Sequence, residues 1–167
     1  IAIAAKAYPD YSPLWVGLAI GGYGLTQAVF QIPMGLLSDK WGRKPIIYLG
    51  LSLFAIGSLI AGLADSMWLL TIGRIMQGSG AIAGAIMALA SDVTRESQRT
   101  KIMALIGVSI GFSFYIALLL GPLIAASFGM QGIFLLTAVL SILCIPLVHF
   151  GISNKAYILP SGDSLPN

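Results

Sequence analysis

Long apolar runs constrain this sequence more than any other feature. Five of them follow one another, separated by short connections, and they span about 13–36, 45–64, 67–90, 102–126 and 131–150. Each is about 20 residues or longer, which is the length an α-helix needs to cross ~30 Å of hydrocarbon. The sequence therefore predicts an all-α polytopic membrane protein whose main partner is the lipid bilayer.

Composition argues against a soluble domain. Apolar residues make up 57% of the 167-residue chain and charged residues only 9%, whereas soluble domains carry about 25% charged residues. The sequence has no recognisable nucleophile–base pair, metal-ligand cluster or phosphate-binding loop, so we expect no enzyme, no metal site, no cofactor and no nucleic-acid partner. We expect a small molecule as the ligand.

The two ends of the sequence differ from the apolar runs between them. Residues 1–7 resemble the last turns of a membrane helix, and we expect them to be the end of a truncated first helix. Residues 151–167 are mostly polar, and we expect them to begin a cytoplasmic linker. On this interpretation residues 8–150 hold the complete transmembrane helices of a fragment.

The basic residues predict the orientation, because cytoplasmic connections carry an excess of Lys and Arg. One side of the predicted topology holds Lys40, Arg43, Lys44, Arg95, Arg99, Lys101 and Lys155, and the other holds only Lys6. The 38–44 and 91–101 loops are therefore predicted to be cytoplasmic, in what we expect to be a bacterial inner membrane.

Residues 35–45, with the sequence GLLSDKWGRKP and here called the hinge, connect the first two runs. Gly35 lies one helical turn from Asp39, so we expect it to let a neighbouring helix approach this carboxylate. Arg43 is close enough in sequence to pair with Asp39, and Asp92 could join them. A simpler interpretation is that these charges only set the topology, but it leaves the spacing of the two glycines unexplained. The predicted gating residues are Gly35, Asp39, Lys40, Gly42, Arg43, Lys44 and Asp92.

Arg74 is the only charged residue inside an apolar run. An Arg at the bilayer centre costs about 2.5–3.5 kcal/mol on insertion scales, so it usually faces protein or a water-filled cavity. Gln77, Gly78 and Ala81 follow on the same helix face. The alternative is that the side chain extends outward to the membrane surface.

Weaker polar and small-residue patterns accompany these two motifs. Tyr23, Gln27 and Gln31 form a polar line at every fourth residue, which predicts either a substrate cavity or hydrogen bonds between helices. Ser109 and Ser113 are expected to bond to carbonyls of their own helix. Small residues four apart predict close helix approach, and they are Gly17/Gly21, Gly57/Ala61, Gly80/Gly84, Gly107/Gly111 and Ala117/Gly121/Ala125.

Three motifs together resemble the major facilitator superfamily. The hinge resembles the family's signature loop between its second and third transmembrane helices. The segment RIMQGSGA at 74–81 resembles the signature of its fourth helix, and Gly121-Pro122 resembles that of the fifth helix in its drug antiporters. The run from Tyr23 to Pro33 is most similar to the YajR-type branch of drug:proton antiporters.

This resemblance implies the N-terminal six-helix bundle of a transporter, with most of its first helix missing. It implies alternating access, in which two six-helix halves rock around a central site, and a missing C-terminal half of the same chain as a partner. It further implies that Asp39 and Arg43 form a charge relay that latches the halves, and that Arg74, with Gln77 and Gly78, couples transport to a proton gradient. Export of small amphipathic molecules is then expected, and the alternative is a facilitator or proton symporter that imports a small polar solute.

Overall fold

A computed structural model of the chain describes residues 8–151. The described residues contain helices and no strands, which confirms the predicted all-α class. The elements are α1 Pro13–Trp41, α2 Arg43–Gly62, α3 Met67–Ser79, α4 Ala83–Asp92, a 3-10 turn Glu96–Gln98, and α5 Arg99–Gly151. The predictions for residues 1–7 and 152–167, including Lys6 and Lys155, lie outside the described residues.

Helix α1 is longer than the apolar run that predicts it. The Ser12 hydroxyl accepts a hydrogen bond from the Leu14 amide at 3.2 Å, and Pro13 occupies the first turn, where its missing N–H is not needed. The helix then continues through the first part of the hinge to Trp41, because nothing interrupts it before Gly42. Gly42 has φ 93°, a conformation that other residues rarely adopt, and this ends the helix.

The predicted apolar run over 67–90 corresponds to one candidate membrane span, Met67–Asp92, whose helix is broken between Ser79 and Ala83. Close packing coincides with the break, because a Cβ added to Gly80 would lie 2.5 Å from the Gly50 carbonyl oxygen of α2. The predicted runs at 102–126 and 131–150 lie within α5, which is interrupted by non-helical angles at Gly129, φ 69° and ψ −172°.

Three helical segments of the described chain are long and apolar enough to cross a membrane, namely Arg43–Gly62, Met67–Asp92 and Glu96–Gly151. The second of these joins α3 and α4 across their break. Helix α1, with 29 residues, has sufficient length but is less apolar because of its glycines and its polar line. The helices are thus compatible with a membrane.

Helices α2 and α3 cross at very short range through small residues. A Cβ added to Gly57 would lie 2.5 Å from the Gln77 amide nitrogen and 2.7 Å from the Gly73 carbonyl oxygen. A Cβ on Gly73 would lie 2.6 Å from the Ala61 amide nitrogen. The predicted close approach at Gly57/Ala61 is therefore present, and these four residues define what we call the α2–α3 crossing.

Two apolar clusters lie on either side of this crossing along the bundle. The cluster nearer the hinge, at what we call the hinge end, contains Met34, Ile46, Ile47, Leu51, Ala85 and Leu89. The cluster at the opposite end, the far end, contains Tyr8, Ala19, Ala64, Met67 and Leu70. Between them, at the crossing, lie the buried side chains of Ser58 and Gln77.

Candidate functional site

The Arg43 guanidinium joins three helices at the hinge end. It forms an ion pair with Asp39 in the last turn of α1, and its Nε donates to Asp92 Oδ2, at the end of α4, over 2.9 Å. One of its terminal nitrogens donates to the Ser38 hydroxyl at 2.7 Å. Because Gly42 reverses the chain between α1 and α2, Arg43 can lie over the end of α1. The structure thus brings together the three charges that the sequence predicts.

The burial of this cluster is uneven. The Arg43 side chain is 15% exposed, whereas those of Asp39 and Asp92 are 56% and 48% exposed. Ion pairs between exposed groups contribute about 0–1 kcal/mol, so the cluster does little for stability by itself. The outer side of the Asp39 carboxylate stays open to a further positive partner. Ser38, which is 1% exposed, lies within the hinge but was not among the predicted gating residues.

The remaining hinge residues have different environments. A Cβ added to Gly35 would meet nothing within 4 Å, so none of the described helices makes the close approach predicted there. At Gly42 the requirement is conformational, since a Cβ would meet only Pro45 Cδ at 3.7 Å while φ is positive. Lys40 is exposed and Lys44 is half-buried.

The Arg74 guanidinium is held by neighbouring side chains in the middle of the bundle. It lies 4.1 Å from the centroid of the Tyr23 ring on α1 and 5.8 Å from that of Phe134 on α5. Its NH1 donates to Gln77 Oε1 at 2.9 Å. Cation–π contacts contribute about 2 kcal/mol when they are desolvated. These contacts orient the guanidinium within the bundle.

Gln77 links Arg74 to the α2–α3 crossing. The Gln77 side chain is buried, and its Nε2 donates to the Ser58 hydroxyl on α2 at 2.6 Å. The Ser58 hydroxyl donates in turn to the Phe54 carbonyl at 2.7 Å. We call the chain of groups from the Phe54 carbonyl through Ser58 and Gln77 to Arg74 the polar relay. The sequence analysis identified Gln77 and Arg74 but not Ser58.

A cavity of about 400 Å³ lies beside the polar relay. Tyr23, Gln27, Gln77 and Gly78 contribute to its wall, together with residues of α2, α4 and α5 such as Phe54, Ile86, Thr137, Ser141 and Cys144. Two of the three residues in the predicted polar line, Tyr23 and Gln27, thus line a cavity. The wall combines aromatic and aliphatic surface with a few hydroxyl and amide groups, as small-molecule sites usually do.

Gln31 and Gly78 have roles in helix packing. Gln31 is not part of the cavity wall and lies beside α4, where its Nε2 would be 3.7 Å from a Cβ on Gly84. A Cβ on Gly78 would lie 2.0 Å from the Thr26 hydroxyl and 2.3 Å from the Tyr23 carbonyl oxygen. Gly78 therefore permits α1 to pack directly on α3, which is what brings the Tyr23 ring over Arg74.

The first part of α5, which precedes the interruption at Gly129, lacks neighbouring helices of the kind that surround Gly78. Ser109 donates to the Leu105 carbonyl and Ser113 to the Ser109 carbonyl, both at 2.8 Å, which confirms the predicted bonds within the helix. A Cβ on Gly121 would meet nothing within 4 Å, and Pro122 is exposed. Among the described residues, no helix packs against the Gly121-Pro122 motif.

At the far end, two side chains that the sequence analysis did not identify form hydrogen bonds at the connections between helices. The Asp10 carboxylate accepts hydrogen bonds from the Met67 amide at 2.9 and 3.1 Å. These bonds pair a backbone N–H that has no partner within α3, because it lies at the N-terminus of the helix. Gln131 Nε2 donates to the Ala64 carbonyl just after α2 at 2.8 Å. Burial, together with the Asp10 carboxylate, raises the pKa of the Tyr8 phenol. The described part of the chain contains no group of His, Cys, Asp and Glu that could hold a metal ion.

An apolar helical bundle with a charged hinge and a mostly apolar cavity that carries a few hydroxyl and amide groups is the arrangement of a polytopic membrane transporter. The sequence model of the Major Facilitator Superfamily matches residues 2–161. The chain belongs to this superfamily, a family of transporters and not of enzymes.

Several curated proteins are similar to the chain. It is 56% identical to the inner membrane transport protein YajR of Escherichia coli, over 84% of the chain and 31% of that protein. It is 49% identical to an uncharacterized transporter of Buchnera aphidicola, over 90% of the chain and 39% of the relative. The tetracycline resistance protein, class H, of Pasteurella multocida is 35% identical over 68% of the chain and 28% of its own length. The chain thus spans about a third of the length of these relatives.

Proposed function

We propose that the chain belongs to a proton-coupled transporter that exports small amphipathic molecules by alternating access. The observation that carries this proposal is the position of Arg74, which is not itself part of the cavity wall but whose guanidinium contacts two residues of that wall, Tyr23 and Gln77. A cation beside a cavity in a low-dielectric bundle responds strongly to any change of charge nearby. Similarity to a tetracycline resistance protein favours export.

The proposed architecture is the N-terminal half of the transporter. Helices α1 and α2 would be the second and third transmembrane helices, α3 and α4 together the fourth, and the two parts of α5 the fifth and sixth. Most of a first helix and a C-terminal half would complete the protein. The hinge end, with the 38–44 and 91–101 loops, would face the cytoplasm of a bacterium, because it carries six of the seven basic residues in the described part of the chain.

The Arg43 cluster would act as the gate on the cytoplasmic side. The exposed outer face of Asp39 and the open space over Gly35 lie close together on α1. A helix of the other half could approach Gly35 closely and present its N-terminus to the carboxylate, an interaction of about 0.3–2 kcal/mol. Arg43, which is ion-paired with Asp92, would orient the Asp39 carboxylate for this contact.

Proton coupling would join Arg74 to a carboxylate outside the described residues. No Asp or Glu lies along the middle of the described helices. Protonation of an acid elsewhere in the transporter would change the field at Arg74 and so its contacts with Tyr23 and Gln77. The proton gradient would be the energy source, and we propose no cofactor.

A second candidate is a facilitator or proton symporter that imports a small polar solute. It is favoured by Ala117, Ala125 and Ala126, which occupy positions of α5 where the antiporter signature prefers glycine. The hydroxyl and amide groups in the cavity wall would also suit a polar solute.

Everted membrane vesicles that contain the complete transporter would distinguish the two candidates. With an imposed pH gradient followed by a pH-sensitive dye, addition of an amphipathic compound such as tetracycline should dissipate the gradient if the protein is an exporter. Vesicles without the transporter provide the control. Whole-cell uptake of a polar solute that is indifferent to uncouplers would contradict the proposal and favour a facilitator.

A further inference from the structure

Ser58 is the least exposed polar group near the candidate site, with 0% of its surface exposed, and it is not part of the cavity wall. Its hydroxyl nevertheless connects to the site through one residue, since it accepts from Gln77 Nε2 at 2.6 Å. Gln77 is itself 2% exposed and bonds to Arg74. Ser58 can therefore affect a ligand only through Gln77 and Arg74.

The chemistry of the groups fixes the direction of every hydrogen bond in the polar relay. A guanidinium has only donors, so Arg74 requires the amide oxygen of Gln77. The amide nitrogen of Gln77 must then point the other way and donate to Ser58. Because the Ser58 oxygen accepts this bond, its own hydrogen is directed to the Phe54 carbonyl at 2.7 Å. One orientation of Gln77 satisfies all these groups.

Removal of the Ser58 hydroxyl would release this constraint. The Gln77 amide nitrogen would lose its acceptor in a buried position, which is unfavourable. Without that acceptor the Gln77 side chain would no longer be confined to one orientation, and its oxygen would face Arg74 for a smaller fraction of the time. Arg74 would then more often lack the hydrogen bond from its NH1 to Gln77 Oε1.

The short distance between α2 and α3 makes this connection possible. Ser58 follows Gly57 directly, and the Gly57 backbone lies so close to α3 that an added Cβ would be 2.5 Å from the Gln77 amide nitrogen. A short serine side chain can therefore reach Gln77. The α2–α3 crossing thus places the Ser58 hydroxyl next to Gln77, the residue that is hydrogen-bonded to Arg74.

We propose that Ser58 is a positioning residue that sets the orientation of Arg74 through Gln77 and so determines how tightly transport is coupled to protons. This inference rests on the proposed function, because it assigns Ser58 to the coupling role of Arg74. It makes Ser58 more important for transport driven by a pH gradient than for binding of the transported molecule, which Ser58 does not contact because it is not part of the cavity wall.

The test compares Ser58→Ala with Ser58→Thr in the complete transporter, reconstituted in proteoliposomes, with tetracycline as the first probe in a panel of amphipathic compounds. One measurement is transport driven by a pH gradient, and the other is exchange of labelled for unlabelled compound without a gradient. Ser58→Ala should lower driven transport by roughly two- to tenfold, the factor that corresponds to one hydrogen bond. Exchange should change less than about twofold, and Ser58→Thr should restore most of the driven transport.

Two further variants make the outcome decisive. Thr71→Val is the matched control, because Thr71 is also buried on the bundle interior but its hydroxyl donates only to Met67 of its own helix. It should leave both measurements unchanged. In a double-mutant cycle, Ser58→Ala should have no additional effect once Gln77→Ala is present.

The results separate this inference from the proposed function. If Arg74→Ala abolishes driven transport but Ser58→Ala does not lower it, the positioning role is wrong and the proposed function stands. If Arg74→Ala leaves driven transport intact, the coupling role of Arg74 is itself wrong. An equal loss of exchange and driven transport in Ser58→Ala, or effects of Ser58→Ala and Gln77→Ala that simply add, would show a structural role and overturn the inference.

Discussion

The α2–α3 crossing and the first part of α5 carry the same pattern of small residues but have opposite environments. Gly57 and Ala61 lie four residues apart in contact with α3, whereas Gly107 and Gly111, also four apart, meet nothing within 4 Å of an added Cβ. Large side chains near the second pair, such as Val108 and Phe112, are exposed. In a bilayer the spacing of small residues permits close approach, but it does not determine where a partner lies.

The difference suggests where function depends on this chain alone and where it depends on the rest of the transporter. At the crossing, each polar group of the relay finds its partner among the described residues. The first part of α5 offers serine hydroxyls bonded within the helix and a largely exposed apolar surface. Substitutions at the crossing should therefore have large effects, and those in the first part of α5 small ones, unless another part of the protein covers it.

The largest effect is expected at Arg74. Arg74→Ala should abolish active transport while expression and insertion persist, because removal of a charge from a membrane helix makes insertion easier. Arg74→Lys should restore transport only in part, since an ammonium group lacks the planar fork of the guanidinium. Transport in everted vesicles, normalised to the amount of protein, measures both.

Arg95→Ala provides the matched control for Arg74, because Arg95 is a basic residue on an exposed connection. It should leave transport close to that of the unmodified protein. Full activity of Arg74→Ala would mean that its contacts with Tyr23 and Gln77 are dispensable, and the contrast between the two regions would then have no functional meaning.

The next effect is on stability, at the glycines themselves. Gly57→Ala should destabilise the protein by about 1–3 kcal/mol, because the new methyl group would overlap the α3 backbone and force the helices apart. Gly107→Ala should be neutral or stabilise slightly, since there is open space and Ala is the better helix former. Thermal unfolding of the two variants in detergent provides the measurement. Equal changes in the two midpoints would contradict the packing difference.

The sequence predicted the helical class well because hydropathy depends on composition along the chain and not on contacts. It predicted Arg43–Asp39 as a pair because the two residues lie only four positions apart in the sequence. Element ends were less predictable: α1 continues to Trp41 through polar residues, and the break after Ser79 occurs where Gly80 packs against α2.

The missed residues share a physical reason. Ser58 lies 19 residues from Gln77, and Asp10 lies 57 residues from Met67. A serine in an apolar helix usually bonds to its own backbone, as Ser58 also does, so nothing local marks it. Its second bond depends on how α2 and α3 cross, which the spacing of small residues does not specify.

A smaller change is expected from Asp39→Asn at the hinge. If Asp39 has the proposed gating role, loss of its charge should weaken the closed gate by about 0.3–2 kcal/mol, the range for one charge at a helix terminus, and so shift the population towards the inward-open form. The pocket should be unaffected, because Asp39 lies in the last turn of α1 and is not part of the cavity wall.

Accessibility of cysteines placed at the hinge end of the complete transporter, the proposed cytoplasmic side, would measure this shift. The exposed Cys144 should first be replaced by alanine, because it lines the cavity. Lys101→Gln removes a charge at the beginning of α5 and serves as the control. Unchanged accessibility combined with a large loss of affinity would assign Asp39 to the binding site instead of the gate.

The smallest effect is expected from Ser113→Ala, and it sharpens the comparison through two serines with the same local bond. Ser113 donates to the carbonyl four residues earlier at 2.8 Å, and Ser58 does so at 2.7 Å, but only Ser58 also accepts from a buried side chain, Gln77.

Ser113→Ala should change the free energy of unfolding by less than about 0.5 kcal/mol. Ser58→Ala should lower it by about 1–3 kcal/mol, because a buried amide group loses its partner. Denaturation of the complete transporter in detergent measures both. A loss above about 1 kcal/mol in Ser113→Ala would show that another part of the transporter packs on this face of α5, and the two helices would then not differ in how their small residues are packed.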